Sequence, residues 1–180
     1  KFKTLDNSAV GKLISAGVNP HVPLYLLAWT TTPWTLPGNT ALAVSADADY
    51  SVVELEGENL ILASARLDAA GLGHAHVAAT VKGSELVGIG YAPLYNPHEF
   101  DVERRRFQIG GTQSSPVIKA EAPDANLSYR VIATSFVTME DGTGIVHVAP
   151  AFGEADFEAG RVEGLDFVQQ VDLQGKITGS

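Results

Sequence analysis

The chain has 180 residues, 45% of them hydrophobic and 18% charged, and carries a net charge of −9 at pH 7. Such a composition excludes a disordered segment and allows one domain with a sizeable core, while the acidic balance argues against a protein that grips nucleic acid over a broad face. No apolar run reaches the length needed to cross a bilayer, and the absence of Cys excludes disulfides and thiolate chemistry and fits a cytoplasmic location.

The N-terminal "KFKTLDNSAV" has neither a signal-peptide segment nor an initiator Met and reads as the start of an excised piece. "DNSAVGKLISAG" predicts a short helix. Asp6, Asn7 or Ser8 can cap it, Val10, Leu13 and Ile14 form an apolar stripe, and Gly17 can end it. Beyond Pro20, "VPLYLLAW" predicts a buried strand, and "NTALAVS" a second one after the intervening loop. "YSVVELEGENLILAS" alternates around Gly57-Glu58-Asn59, a hairpin signal. "ARLDAAGLG" predicts a helix of two turns, and "HVAATVKGSEL" a strand with a turn at Lys82-Gly83.

From Tyr91 to Asn126 the chain is rich in Pro, Gly and Asn, with "PVIKAEA" its main periodic stretch. It reads as a peripheral excursion holding a short strand or two. "YRVIATSFVTMEDGTGIVHVAP" predicts two strands joined across Glu140 to Gly144, "EADFEAGRVEGL" a helix, and "FVQQVDLQGKIT" a final strand and turn. Strands dominate without regular βαβ alternation. The expected fold class is therefore α+β, a β-barrel-like mixed or antiparallel sheet core with a few short peripheral helices. Residues 1–180 read as a single domain, with 91–126 as its excursion. There is no internal repeat.

Two stretches can carry chemistry. In "AWTTTPWTLPGN", Ala28 to Asn39, three adjacent hydroxyls are bracketed by Trp29 and Trp34. In "DGTGIVHVAPAFGEADF", Asp141 to Phe157, glycines precede a strand bearing His147, Pro150 stops that strand, and Asp156 falls in the first turn of a helix. A carboxylate there is favoured by the helix dipole. Each residue also has a duller reading. His147 fits a hydrogen-bonded core histidine, Asp156 a helix-start carboxylate, Thr30 to Thr32 strand-end hydroxyls satisfying a loop, and the tryptophans packing. "HAH" at His74 and His76 has strand-face metal spacing but no further ligand nearby, so no metal is expected. "ERRR", Glu103 to Arg106, reads as a solvated turn or a phosphate contact. Together a threonine shelf, a histidine and an isolated carboxylate, with tryptophans nearby, would make a small polar pocket with an apolar wall and no evident nucleophile, where any hydrolysis would have to use a positioned water.

"WTTTPWTLPGN" (Trp29 to Asn39) and "GTGIVHVAPAFGEADF" (Gly142 to Phe157) resemble the two signature segments of the editing domain inserted in class I aminoacyl-tRNA synthetases, the isoleucyl, valyl and leucyl enzymes. The resemblance runs from about Pro23 to the C-terminus and is weakest over 91–126. His147 and "APAFGEADF" resemble the isoleucyl members; valyl enzymes typically have lysine at the histidine position and leucyl enzymes methionine or a similar residue. "TTTPWTLP" fits the isoleucyl and valyl members better than the leucyl "TTRPDT". No "HIGH" or "KMSKS" segment is present, so amino-acid activation is not expected here.

The resemblance implies a proofreading hydrolase that clears valine by water-mediated ester hydrolysis and excludes isoleucine by size. Valine lacks one methylene, a difference worth only about 1–3 kcal/mol in an apolar pocket, for which the isoleucine–valine pair is itself the standing example. As implied roles, Thr30, Thr31 and Thr32 hold the ester carbonyl, the terminal ribose and the attacking water. Asp156 pairs with the α-ammonium. His147 sits beside the substrate side chain and ribose, Trp34 supplies an apolar wall, and Asn39 a polar contact or loop brace. Thr35, Val148 and Ala149 complete the implied substrate-binding set. The implied partners are the 3′ end of tRNA(Ile) carrying valine, valyl-adenylate and the remainder of a parent synthetase; no membrane, no cofactor and a monomeric state are expected. The alternatives are a valyl or leucyl editing domain, or a non-catalytic β-barrel that binds RNA or a small ligand.

Overall fold

The computed structural model describes residues 1–5, 8–95, 105–107, 117–119 and 128–171. The expected caps Asp6 and Asn7, Arg104, and most of the 91–126 excursion lie outside the described residues. The chain forms two compact units. The first comprises Lys1–Thr31, Leu42–Ala92 and Arg130–Val146; the second comprises Thr32–Ala41, Pro93–Tyr129 and His147–Ser180.

The first unit is built on a five-stranded mixed sheet of β1 (Phe2–Lys3), β2 (Leu24–Leu26), β4 (Asp49–Leu55), β5 (Glu58–Ala63) and β6 (His76–Lys82), in the order β1-β2-β5-β4-β6. β2 and β5 run parallel; the other pairs are antiparallel. The β4–β5 hairpin turns one residue earlier than expected. Leu55 pairs with Glu58, so the loop is Glu56-Gly57, both at positive φ (49° and 81°). That is the geometry a two-residue hairpin loop needs to match strand twist.

Helix α1 (Ser8–Ser15) buries Val10 and Leu13 as expected, but Ala9 completes its inner face and Ile14 is 40% exposed. Gly17 ends it at φ 110°. "ARLDAAGLG" departs further from expectation. A short 3₁₀ turn, Ser64–Arg66, gives way to successive turns instead of a helix. Leu72 donates its N–H to Leu67 O and buries its side chain with Val53, Leu60 and Leu62, so core packing overrides local helical preference. After β6 the chain forms α2 (Gly83–Leu86), where a turn alone is expected.

Two polar pins hold the turns of the first unit. The buried Tyr50 hydroxyl donates to Gly144 O at 2.7 Å and accepts from Ser45 N at 3.0 Å. Arg66 Nε donates to Gly142 O at 3.0 Å, and a Cβ on Gly142 (φ 60°) would lie 2.8 Å from the Trp29 ring. Trp29 N in turn donates to Ile145 O, which joins the end of the β2 segment to the residues leading into β10.

β3 (Ala41–Val44), β9 (Arg130–Ala133) and β10 (Val146–Val148) form a three-stranded sheet in the order β10-β3-β9. The two strands expected on either side of Glu140 to Gly144 are thus separated by β3. In the second unit, β7 (Arg105–Phe107), β8 (Val117–Lys119) and β11 (Asp166–Phe167) form an antiparallel sheet, β11-β7-β8. Arg105 and Arg106 therefore lie on a strand. Helix α3 (Glu154–Glu163) packs by way of Phe157, whose ring meets Phe107 edge-on at 4.9 Å; Phe107 likewise meets Phe167 at 5.7 Å. Gly160 allows this approach, since a Cβ there would lie 2.6 Å from the Phe107 ring.

The α+β class with mixed sheets and few short helices holds. Among the described residues the sheets are separate and no closed barrel is formed. No helix among them is long and apolar enough to cross a membrane.

Tyr50→Phe tests the first pin. It strands the buried Gly144 carbonyl and removes the acceptor of Ser45 N, so a loss of about 1–3 kcal/mol is expected in urea unfolding, with an unchanged denaturant slope.

Candidate functional site

Seven of the residues singled out by sequence, together with Thr32, fall in the second unit. The stretch Pro33–Gly38 is a 3₁₀ helix. Pro33 opens it, where its missing N–H is not needed and its φ is already set. Thr32 precedes it with no side-chain capping bond, at φ −125° and ψ 65°. Its hydroxyl lies 3.3 Å from that of Thr35, and Thr35 Oγ1 donates to Thr32 O at 2.8 Å. Thr35 is buried and meets His147 Nε2 at 3.1 Å, across 112 positions of sequence.

His147 is 7% exposed, in the middle of β10. Beyond it, Val148 O accepts from Thr40 N at 2.9 Å and, at 3.5 Å, from Asn39 Nδ2, which also donates to Ala41 O at 2.8 Å. Asn39 is buried and its amide spans the two backbones. Ala149 N donates to Asp156 Oδ2 at 2.9 Å, and Phe152 N to Ala149 O closes the turn between β10 and α3. Asp156 thus does more than complement the helix dipole. It ties the strand end carrying His147 to the first turn of α3. Thr32, Thr35, His147, Val148, Asn39, Ala149 and Asp156 form one connected set.

Trp34 stands apart from this network at 66% exposure, an indole presented to solvent. Thr30, half-buried, and Thr31, exposed, belong to the first unit and precede the set along the chain. His74 and His76 are exposed, and among the described residues no group of three or more His, Asp or Glu side chains is placed to hold a metal.

Sequence reasoning passed over Gln170 and Phe152. Gln170 is 3% exposed and its Nε2 lies 3.5 Å from Trp34 O, 136 positions away. A Cβ on Gly38 would lie 2.7 Å from the Phe152 ring and 3.1 Å from Gln170 Oε1, so both back the 3₁₀ helix. Phe152 sits inside a quoted motif; no local pattern marks Gln170.

Desolvation shifts the two titratable groups in opposite directions. Burial lowers the His147 imidazole below its usual 6.5 and keeps it neutral at physiological pH. Burial raises the Asp156 carboxyl above its usual 3.8, with the Ala149 N–H partly countering. Both sites therefore resist charge, and a cation brought to Asp156 would offset its desolvation.

No family model matches the chain. It is 50% identical to isoleucine--tRNA ligase of Dehalococcoides mccartyi strain CBDB1 over 164 residues, 91% of this chain and 15% of that protein. It is 39% identical to isoleucine--tRNA ligase of Treponema denticola over 196 residues, 99% of this chain and 16% of that protein. The chain thus spans well under a fifth of these curated relatives. Among solved structures it is similar to GlLeuRS-CP1, with TM-score 0.61, 20% identity, and 88% of this chain and 56% of the other covered. The P. knowlesi cytosolic leucyl-tRNA synthetase editing domain superposes with TM-score 0.58 at 14% identity, covering 87% and 57%. At these identities the structural likeness establishes fold.

A base whose folded pKa is lowered binds its proton more readily when unfolded. The neutral His147 ring therefore adds stability above pH 6.5 that is lost as pH falls through the lowered folded value. Urea titrations from about pH 7.5 to about pH 5 should show the wild type losing stability on acidification, and His147→Gln losing measurably less.

Proposed function

This chain belongs to the isoleucine--tRNA ligase family and has the fold of a synthetase editing domain, and from that membership we propose that it is a proofreading hydrolase acting on valine wrongly joined to tRNA(Ile). The observation that carries this reading is the connected set of the second unit. A threonine hydroxyl pair, a neutral buried histidine and a carboxylate at a helix start converge there from two distant motifs.

The proposed chemistry needs only a held water. Water attacks the ester carbonyl carbon, the ribose oxygen of the terminal adenosine leaves with a proton, and free valine departs. Thr32, whose hydroxyl proton is directed at Thr35, accepts a hydrogen bond from the attacking water; Thr30 and Thr31 hold the ester carbonyl and the ribose on the strength of the family resemblance alone. Asp156 pairs with the substrate ammonium, and the cation in turn lowers the carboxyl pKa that burial raises. An uncharged His147 stands beside the substrate side chain without repelling that ammonium. Its ring is a size limit that valine passes and isoleucine does not. Trp34 supplies an apolar wall, and Asn39 braces the threonine segment against β10. Val148 and Ala149 contribute backbone to the substrate wall. The tRNA 3′ end and valyl-adenylate are the proposed ligands, with tRNA affinity coming mainly from the rest of a larger synthetase, as the acidic net charge requires.

The reading is tested by deacylation of valyl-tRNA(Ile) and isoleucyl-tRNA(Ile), with the chain alone and with the chain replacing the matching stretch of a full-length isoleucine--tRNA ligase. Asp156→Asn keeps an acceptor for Ala149 N and removes the charge. It should slow valyl-tRNA clearance about tenfold or more. His147→Ala should raise isoleucyl-tRNA hydrolysis. Unchanged rates in both variants, or no valyl preference in the wild type, would sink the proposal.

A further inference from the structure

The hydroxyl of Thr35 carries one proton and has three neighbours. It donates to Thr32 O at 2.8 Å, the shortest of the three contacts. Having spent its proton there, it can only accept from the other two, Thr32 Oγ1 at 3.3 Å and His147 Nε2 at 3.1 Å. A hydroxyl oxygen has the two lone pairs this requires. The contact at His147 is then Nε2–H donating to Thr35. In the opposite tautomer the Thr35 proton must choose between Thr32 O and His147 Nε2. His147 Nδ1 would then carry a buried proton, yet among the described residues Nδ1 has no hydrogen-bond partner. A buried N–H without an acceptor is rarer and costlier than a bare lone pair. Both considerations select the same state.

We infer that Thr35 locks His147 in its Nε2–H tautomer and fixes the ring plane, which makes Thr35 a positioning residue for the size limit and not a substrate contact. This rests on the role proposed above for His147. The consequence is directional. His147 Nδ1 is a buried bare lone pair, so the ring is a neutral wall that donates no hydrogen bond on its far side. Thr35 also couples the ring to the segment carrying Thr32, so the hydroxyl that orients the water and the wall that measures the substrate share one atom.

The test uses ¹⁵N-labelled chain and long-range ¹H–¹⁵N correlation of the imidazole rings, with His147→Gln identifying the His147 signals among the five histidines. Thr35→Val removes the hydroxyl at nearly constant shape, and Thr35→Ser restores it; thermal unfolding confirms that each variant is folded. The wild type and Thr35→Ser should show a single neutral ring protonated at Nε2. Thr35→Val should show mixed tautomers or exchange broadening. In the deacylation assay Thr35→Val should lower the valyl-over-isoleucyl preference about tenfold, and Thr35→Ser should bring it back to within about threefold of wild type. A wild-type ring protonated at Nδ1, or an unchanged tautomer in Thr35→Val, overturns the inference. If the tautomer shifts but preference does not, His147→Ala decides where the failure lies. A preference that changes in His147→Ala overturns only the role of Thr35; one that stays constant overturns the proposed role of His147 as well.

Discussion

One buried hydroxyl joins the two chemical segments of the second unit. Thr35 is buried, and its oxygen is shared by the carbonyl and hydroxyl of Thr32 and by the imidazole of His147. In a poorly solvated interior such contacts cannot be exchanged for water, so the donor-acceptor assignment becomes a constraint on geometry. The 3₁₀ helix supplies the constraint locally. Its tight pitch brings residue 35 back under residue 32, which an extended threonine run would not do. Gln170 and Phe152 then support the helix from its other side at Gly38, where there is no room for a Cβ.

The same burial acts on the two titratable groups with opposite sign. His147 is pushed toward its neutral base and Asp156 toward its neutral acid, because each loses water around its charged form. Asp156 keeps one backbone N–H, from Ala149, which also sets the distance between the end of β10 and the start of α3. A carboxylate so placed has more to gain from an incoming ammonium than one in water. A neutral imidazole nearby does not oppose that cation.

Where the chain departs from its sequence-level expectations, a specific competing demand is visible. The β4–β5 loop shifts to Glu56-Gly57 because strand register leaves two residues for a turn that needs positive φ at both. The stretch after Ser64 abandons helix because Leu72 is claimed by the core of Val53, Leu60 and Leu62. Ile14 yields its place on α1 to Ala9.

Most of the longer strands, helices α1 and α3 and the two contiguous chemical segments were legible in the chain, because alternation, glycine and proline placement and adjacent hydroxyls are local properties; β1, α2 and the loss of helix after Ser64 were not. The family resemblance rested on those same contiguous words, "WTTTPWTLPGN" and "GTGIVHVAPAFGEADF". Tertiary structure alone decided that Thr35 meets His147, that Asp156 reaches back to Ala149, and that Gln170 stands behind Trp34. Hydrogen-bond partnership between residues 112 or 136 positions apart depends on how the backbone returns through space. No periodicity of the sequence encodes it; burial and the cost of enclosing a polar group without a partner do.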